Sequence, residues 1–255
     1  MRELLTSEPQ WRVVDCQEPA ILHDGYRPEL LAGTDKAERL RLAMESELAA
    51  HPGDPYASAK LGGLLISEGQ HARAIPLLRS GLAQATGPGS ERYELLLHLA
   101  LALTPTDPAS AVDCYRQALA IPLDQRVSLG ARINLAARLL ELGQLDEALQ
   151  LTQAATQAAP EVALGWANLG LMQRQKGNIG AALEAYSRAI NLDPRNATCH
   201  QNHAVALLLG GDIEGARNSF RSAIQLFREQ GRDREAQALR DKAQGLVKLD
   251  VEPII

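Results

Sequence analysis

The sequence predicts an all-α protein in which pairs of antiparallel helices stack side by side. Three observations lead to this prediction: a 34-residue internal repeat, a composition rich in Ala and Leu with only 4% aromatic residues, and helix start and stop signals that recur within the repeats. Close-packed helices suit such a composition, whereas a sheet would use more Val, Ile, Thr and aromatic side chains.

The repeat is visible in small residues that return at a constant offset of 34 residues. These residues are Ala148, Ala182 and Ala216, together with Gly143, Gly177 and Gly211. The predicted array covers 55–230, with short inserts at 89–91 and 126–128. Its five units are 55–88, 92–125, 129–162, 163–196 and 197–230.

Each unit is predicted to fold as a helix, a tight turn and a second helix. In 163–196, Gly177 supplies the positive φ that ends the first helix, and Asn178 is expected to accept the first free N–H groups of the second. In 92–125 the corresponding place holds Asp107 and Pro108, a capping residue followed by proline at the first helical position.

The unit 163–196 resembles the tetratricopeptide repeat in residue identity and spacing. The matching residues are Trp166, Leu169, Gly170, Ala182, Tyr186, Ala189 and Pro194. The resemblance implies a right-handed superhelical solenoid whose first helices line a concave groove. The ends of such an array need caps. We therefore expect a half-repeat helix in 34–54 and a C-terminal capping helix and tail in 231–255, with Leu239, Leu246 and Val247 as its apolar stripe.

Residues 1–33 do not fit the repeat. The string from His23 to Tyr26, followed by Lys36, Arg39 and the turn at 52–55, resembles the junction between catalytic domain and repeats in bacterial family-2 glycosyltransferases. An accessory tail or truncated paralogue that recruits an acceptor or a separate catalytic subunit is therefore the alternative function. The chain contains no Asp-x-Asp motif and few residues before His23. We predict that it is not an enzyme and assign no role to His23.

Charge and composition exclude several other classes of function. A net charge of −5 and a pI near 5.7 do not favour nucleic-acid binding, which needs clustered Lys and Arg. The longest apolar run, around Leu95 to Leu103, is too short to span a bilayer. The N-terminus lacks the apolar core of a signal peptide, and the three cysteines indicate free thiols in a reducing compartment. We expect a cytoplasmic protein without a cofactor.

The candidate binding residues begin with Asn134, Asn168 and Asn202, which recur at one position of three consecutive first helices. The resemblance places that position at the border of the groove. A primary amide can pair with both the N–H and the C=O of a peptide unit, so a row of them could hold an extended peptide by its backbone. The alternative is that these amides bond a neighbouring repeat or water. Upstream, Lys60 and Leu97 take the equivalent positions.

The neighbours of this row complete the predicted groove. The predicted peptide-binding set also includes Leu171, Arg174, Gln175, Gln201 and Val205, and further groove neighbours are Ile133, Ala137, Leu140, Ala167 and Leu208. These residues are mostly apolar and suit a peptide or helix with apolar anchors. They do not suit a basic clamp, because Arg174 is nearly alone. The alternative is that they contact an adjacent helix instead of a ligand.

Cys199, His200 and His203 resemble part of a zinc site, but zinc wants four ligands. In repeat register, His200 stands at the place of Trp166 and His203 at the place of Leu169, which favours packing roles. We therefore predict no metal site. Tyr115, Tyr186 and Phe220 share one repeat position and are predicted to lie in the core. The predicted function is a protein–protein interaction scaffold. The sequence identifies neither its partner nor its oligomeric state.

Overall fold

The computed structural model describes residues 36–247 of the 255-residue chain. Within that range the chain forms twelve helices and no strand, so the all-α prediction is confirmed. The predictions for 1–33, including His23, lie outside the described residues. The helices are α1 (Lys36–Ala50), α2 (Pro55–Ser67), α3 (His71–Gln84), α4 (Ser90–Leu103), α5 (Pro108–Leu119), α6 (Leu129–Glu141), α7 (Leu145–Ala158), α8 (Ala163–Gln175), α9 (Ile179–Leu192), α10 (Ala197–Leu209), α11 (Ile213–Glu229) and α12 (Asp233–Val247).

The chain divides into two compact units, Met1–Ala43 and Met44–Ile255. Of the first unit, the described part is the beginning of α1. The second unit contains the rest of α1 and all the other helices.

Helices α2 to α11 form five pairs, each made of a first helix and a second helix that pack against each other. The second helix of each pair also packs against the first helix of the next pair. First helices contact one another directly at α2 with α4, α6 with α8, and α8 with α10. This is the predicted solenoid of stacked helix pairs.

A small residue in the first helix lets a bulky residue of the second helix reach the core. A Cβ added to Gly170 would lie 2.7 Å from ring atoms of Tyr186, and one added to Gly62 would lie 2.4 Å from a methyl carbon of Leu78. These approaches are closer than van der Waals contact allows, so a methyl group at either position would require the neighbouring side chain to move. Tyr115, Tyr186 and Phe220 are all buried, which confirms their predicted core role.

The turn signals are confirmed in all but one detail. Gly177 has a φ of 84° and ends α8. Asp107 accepts a hydrogen bond from the Ser110 backbone N–H at 3.1 Å, and Pro108 is the first residue of α5. The prediction that Asn178 caps α9 with its side chain is wrong, since that amide donates to Gln173 Oε1 at 2.9 Å. Its backbone N–H also bonds Gln173, so this residue closes the preceding helix.

Helix α12 covers the end of the array with one face. Ala236, Leu239, Ala243 and Val247 are buried at spacings of three and four residues. The prediction that Leu246 belongs to this stripe is wrong, because 62% of it is exposed. Adjacent residues of a helix are rotated by about 100°, so Leu246 and Val247 cannot both face the core.

The core is divided unequally along the array. One continuous cluster of buried residues runs from Ala59 in α2 to Met172 in α8. Two smaller clusters follow, one around Tyr186 and one around Phe220. No helix within residues 36–247 is long and apolar enough to cross a bilayer.

Candidate functional site

The three predicted asparagines lie on three successive first helices. Asn134 is on α6, Asn168 on α8 and Asn202 on α10, and all three side chains are half-buried. Helix α8 contacts both α6 and α10, so these residues belong to neighbouring helices of one layer. Among the side chains of residues 38–247, none forms a hydrogen bond with any of the three amides. The alternative in which they bond a neighbouring repeat therefore finds no support in the described part of the chain.

The first helices at the N-terminal end of the array carry charged side chains in this layer, where the later first helices carry the three asparagines. Lys60 on α2 donates from Nζ to both carboxylate oxygens of Glu94 on α4, at 3.1 and 2.9 Å. The Lys60 ammonium also lies 5.3 Å from the centre of the Tyr56 ring. Lys60 and Glu94 are separated by 34 residues, so the groups that meet here hold equivalent repeat positions.

This ion pair corrects the predicted register of the second repeat. The residue opposite Lys60 is Glu94, at the regular offset of 34, and not Leu97, and α4 begins 35 residues after α2, at Ser90 against Pro55. Helix α5, however, begins three residues later than the regular offset would place it, at Pro108 against His71 in α3. The three additional residues therefore lie toward the end of α4 and in the turn after it, which accounts for the weak match of 92–125 to the repeat.

The other predicted groove residues divide into accessible and buried groups. Gln175 is exposed, and the remaining members of the peptide-binding set are half-buried: Leu171, Arg174, Gln201 and Val205. Ile133 is 6% exposed, so its predicted place beside the groove is wrong. Leu140, Val205 and Leu208 also pack against core clusters with part of their surface.

Arg174 lies where three helices meet. Its guanidinium is beside the Tyr186 hydroxyl of α9, and the Tyr186 ring makes an edge contact with His203 of α10 at 6.4 Å between ring centres. Burial raises the pKa of Tyr186, and the neighbouring Arg174 charge opposes this only in part. The Arg174 Nε is buried and has no hydrogen-bond partner within the described residues.

The predicted packing role of the two histidines is confirmed. His200 Nε2 lies 3.0 Å from the Pro194 carbonyl oxygen, just as Trp166 Nε1 donates to the Pro160 carbonyl oxygen at 2.8 Å one repeat earlier. His203 Nδ1 lies 3.1 Å from the Ser219 hydroxyl, and burial lowers the pKa of this imidazole. Both side chains therefore join elements of the fold.

Cys199 is buried as well, and burial raises the pKa of its thiol to about 11. A thiol with that pKa remains protonated near neutral pH, and the thiolate is the form that binds metal. Within residues 36–247, no group of three or more His, Cys, Asp or Glu side chains is placed to hold a metal ion.

Sequence reasoning missed two of these features. One is the Lys60–Glu94 pair, which could have been found by looking for opposite charges one repeat apart on consecutive first helices. The other is the contact of Arg174 with Tyr186, for which the sequence offers no signal. The residues are on different helices, and their meeting depends on how those helices pack.

Two models of repeat families match parts of the array. A model described as "TPR repeat" matches residues 170–211, and one described as "Tetratrico peptide repeat" matches residues 104–190.

Similar proteins have been described in several organisms. A TPR repeat-containing protein of Synechococcus elongatus is 38% identical over 244 residues, covering 95% of this chain and 60% of that protein. Protein FlbA of Caulobacter vibrioides is 32% identical over 36% of this chain and 15% of FlbA. Human tetratricopeptide repeat protein 36 is 36% identical over 25% of this chain and 33% of its own length. The chain thus spans three fifths or less of these relatives.

Two solved structures show the same fold. YrrB, described as a TPR protein with an unusual peptide-binding site, superposes with a TM-score of 0.58 at 18% identity, covering 77% of this chain and 98% of YrrB. MamA from Desulfovibrio magneticus RS-1 superposes with a TM-score of 0.57 at 23% identity, with the same two coverages. At these identities the likeness is one of fold alone.

Proposed function

Because tetratricopeptide repeat models match residues 104–211, we propose that this chain is a non-catalytic scaffold that binds an extended segment of a partner protein. The observation behind the proposal is the row of half-buried amides at Asn134, Asn168 and Asn202, which have no hydrogen-bond partner among the described residues. Their amide atoms are not among the buried polar atoms that lack a partner, so water reaches them and a ligand can bond them in its place.

The spacing of the row suits a peptide backbone. Packed helices lie about 8–10 Å apart, and an extended chain advances about 3.3 Å per residue. One step between first helices therefore corresponds to roughly three peptide residues, and the three asparagines would hold a segment of about seven. Each amide can donate to a peptide carbonyl and accept from a peptide N–H.

The side chains around the row set the chemistry of the ligand. Leu171 and Val205 are half-buried apolar residues, and Gln175 and Gln201 add amides beside them. Such a surface suits a segment with apolar side chains at some positions and no strong sequence demand at others. YrrB offers a precedent, since a peptide-binding site is described for that protein on the same fold.

The proposal is tested by selecting ligands and then removing the row. A random dodecapeptide library displayed on phage is selected on the full chain, and an enriched peptide is synthesised with a fluorophore. We expect the triple variant Asn134→Ala, Asn168→Ala, Asn202→Ala to bind that peptide at least about a hundredfold more weakly in anisotropy titrations, because up to six hydrogen bonds of about 0.5–1.5 kcal/mol are lost.

The matched control is Lys60→Ala with Glu94→Ala, which changes the same layer of helices where the row is absent. This variant should keep the affinity within about twofold, and circular dichroism should show both proteins folded. Unchanged affinity in the triple asparagine variant would sink the proposal, as would a library from which no peptide is enriched.

A second candidate function is that of accessory tail to a glycosyltransferase, recruiting an acceptor or a separate catalytic subunit. It rests on the string from His23 to Tyr26, which resembles the end of such a catalytic domain. We expect no heat on calorimetric titration of the chain with UDP-glucose or UDP-N-acetylglucosamine in the presence of Mn²⁺. Saturable binding of either sugar nucleotide would show that the chain holds a donor site, contrary to the scaffold proposal. A cytoplasmic location stays a prediction from the sequence.

A further inference from the structure

Arg174 is the one charged residue of α8 and α10, which contain no other Lys or Arg and no Asp or Glu. Three cations elsewhere on the first helices and the turn after α8 pair with carboxylates. Lys60 pairs with Glu94 at 2.9 Å, and Arg138 pairs with Glu141 at 2.7 Å. Lys176 pairs with Asp146 at 2.7 Å. Among the described residues, no carboxylate pairs with Arg174.

The surroundings of Arg174 make the lack of a carboxylate partner unfavourable for its charge. The side chain is half-buried, and its Nε is fully buried without a hydrogen-bond partner in the described part of the chain. The Tyr186 hydroxyl beside it is neutral near pH 7, as a tyrosine ordinarily is, and burial raises its pKa further, so it does not balance the charge. A guanidinium that has lost part of its hydration and has no counter-ion gains strongly from a carboxylate.

Arg174 also lies within reach of the proposed peptide path. It is on the same helix as Asn168, six residues further along, which is about 9 Å along the helix axis and about 120° around it, a separation that the long arginine side chain can span. Leu171 stands between them in sequence, and both Leu171 and Arg174 are half-buried. One ligand segment can therefore contact the amide, the leucine and the guanidinium.

We infer that the bound segment carries an Asp or Glu side chain that pairs with Arg174, flanked by apolar residues that contact Leu171 and Val205. This inference rests on the proposed function and adds the chemical class of the ligand: an acidic and apolar extended peptide. The planar guanidinium can bind a carboxylate through two parallel hydrogen bonds, which fixes both its position and its orientation.

An internal side chain fits better than a C-terminal carboxylate. Arg174 is in the middle helix of the row, with Asn134 on the helix before it and Asn202 on the helix after it. A segment that bonds all three asparagines continues past Arg174 on both sides. Its chain end would then lie beyond the row and away from this guanidinium.

The test uses the displayed dodecapeptide library, in which the peptides are fused at their C-terminus and present no terminal carboxylate. Selection on the wild-type chain should enrich Asp or Glu at one fixed position next to apolar residues. Selection on Arg174→Gln should lose that enrichment. The matched control is Arg188→Gln, which removes the same charge from an exposed site on α9 and should select the same peptides as wild type.

A synthetic peptide from the selection then shows how much the pairing of its acidic residue with Arg174 contributes to affinity. Replacing its acidic residue with the corresponding amide should weaken binding to wild type about tenfold and leave binding to Arg174→Gln unchanged. An amidated and a free C-terminus should bind alike, whereas a preference for the free carboxylate would move the contact to the chain end and overturn the inference. Unfolding by urea establishes that Arg174→Gln remains folded.

The outcomes separate this inference from the proposed function. Peptides that require the three asparagines but show no acidic preference would overturn the role of Arg174 and leave the scaffold function standing. A library without enriched peptides, or peptides that bind independently of the asparagines, would overturn both.

Discussion

The N-terminal helix pairs α2 to α5 and the C-terminal pairs α6 to α11 are built from the same repeat but differ in the side chains at one repeat position. In the N-terminal region this position holds Lys60 and Glu94, which satisfy each other. In the C-terminal region it holds Asn134, Asn168 and Asn202, which have no hydrogen-bond partner among the described residues. The difference shows that one repeat position can be used for an internal ion pair in part of an array and leave its polar side chains without an internal partner in the rest.

The cores of the two regions differ as well. A single cluster connects α2 with the first half of the C-terminal region as far as Met172 in α8, whereas the helices after it rest on two smaller clusters. In a repeat protein, stability is approximately a sum of contributions from each repeat and from contacts between neighbours. The proposed binding surface therefore extends into the less continuously packed end of the molecule.

The largest expected effect comes from truncating one core residue in each region. Leu78 in α3 and Phe220 in α11 are both buried, at 0% and 2% exposure. We expect Leu78→Ala to lower the free energy of unfolding by about 2–5 kcal/mol and Phe220→Ala by about 3–5 kcal/mol. Because Phe220 belongs to a separate cluster, its variant should also lose α10 to α12 in a first, distinct transition.

Urea unfolding and hydrogen exchange measured by mass spectrometry check this prediction. Amides of α10 to α12 should exchange earlier in Phe220→Ala than in Leu78→Ala, and Leu246→Ala, at a 62% exposed site, should change stability by less than about 0.5 kcal/mol. A single cooperative transition in Phe220→Ala would show that the core clusters do not unfold separately.

A smaller effect is expected from filling the close contact in each region. Gly170→Ala places a Cβ against the rigid Tyr186 ring, and Gly62→Ala places one against the Leu78 side chain. Overpacking costs about 1–3 kcal/mol, and alanine recovers up to about 1 kcal/mol of helix propensity. We therefore expect a net loss of about 1–2 kcal/mol for Gly170→Ala and less than about 1 kcal/mol for Gly62→Ala, because a leucine rotates more easily than a tyrosine ring.

The control for this comparison is the double variant Gly170→Ala, Tyr186→Leu, which copies the bulky partner of Gly62 into the C-terminal region. Its loss should be smaller than the sum of the two single variants when unfolding is followed by circular dichroism. Additive losses would mean that the ring is not what the new methyl group meets.

The smallest expected effect concerns the repeat position at which the two regions carry different side chains. Lys60 and Glu94 are partly exposed, so removing either should cost at most about 0.5–1 kcal/mol, and the cost should vanish in 1 M NaCl. Asn168→Ala should change stability by less than about 0.5 kcal/mol at any salt concentration, because the amide makes no internal hydrogen bond. A larger, salt-independent loss in Asn168→Ala would indicate that the row is structural.

The sequence by itself determined the unit of this fold. The 34-residue period, the positive φ at Gly177 and the cap formed by Asp107 with Pro108 are local properties of the chain, so they could be predicted without knowing where other helices lie. The core role of Tyr186 was also predictable, since its repeat position fixes which face of the helix it occupies.

The tertiary structure alone decided which side chains meet. Glu94 instead of Leu97 faces Lys60 because the extra residues of the second repeat are accommodated at the end of α4 and in its turn. Ile133 is buried and Leu246 exposed because small rotations of a helix decide which neighbours it covers. The period places a residue on a helix face, but contacts such as that of Arg174 with Tyr186 depend on helix packing and on the rotamers of long side chains.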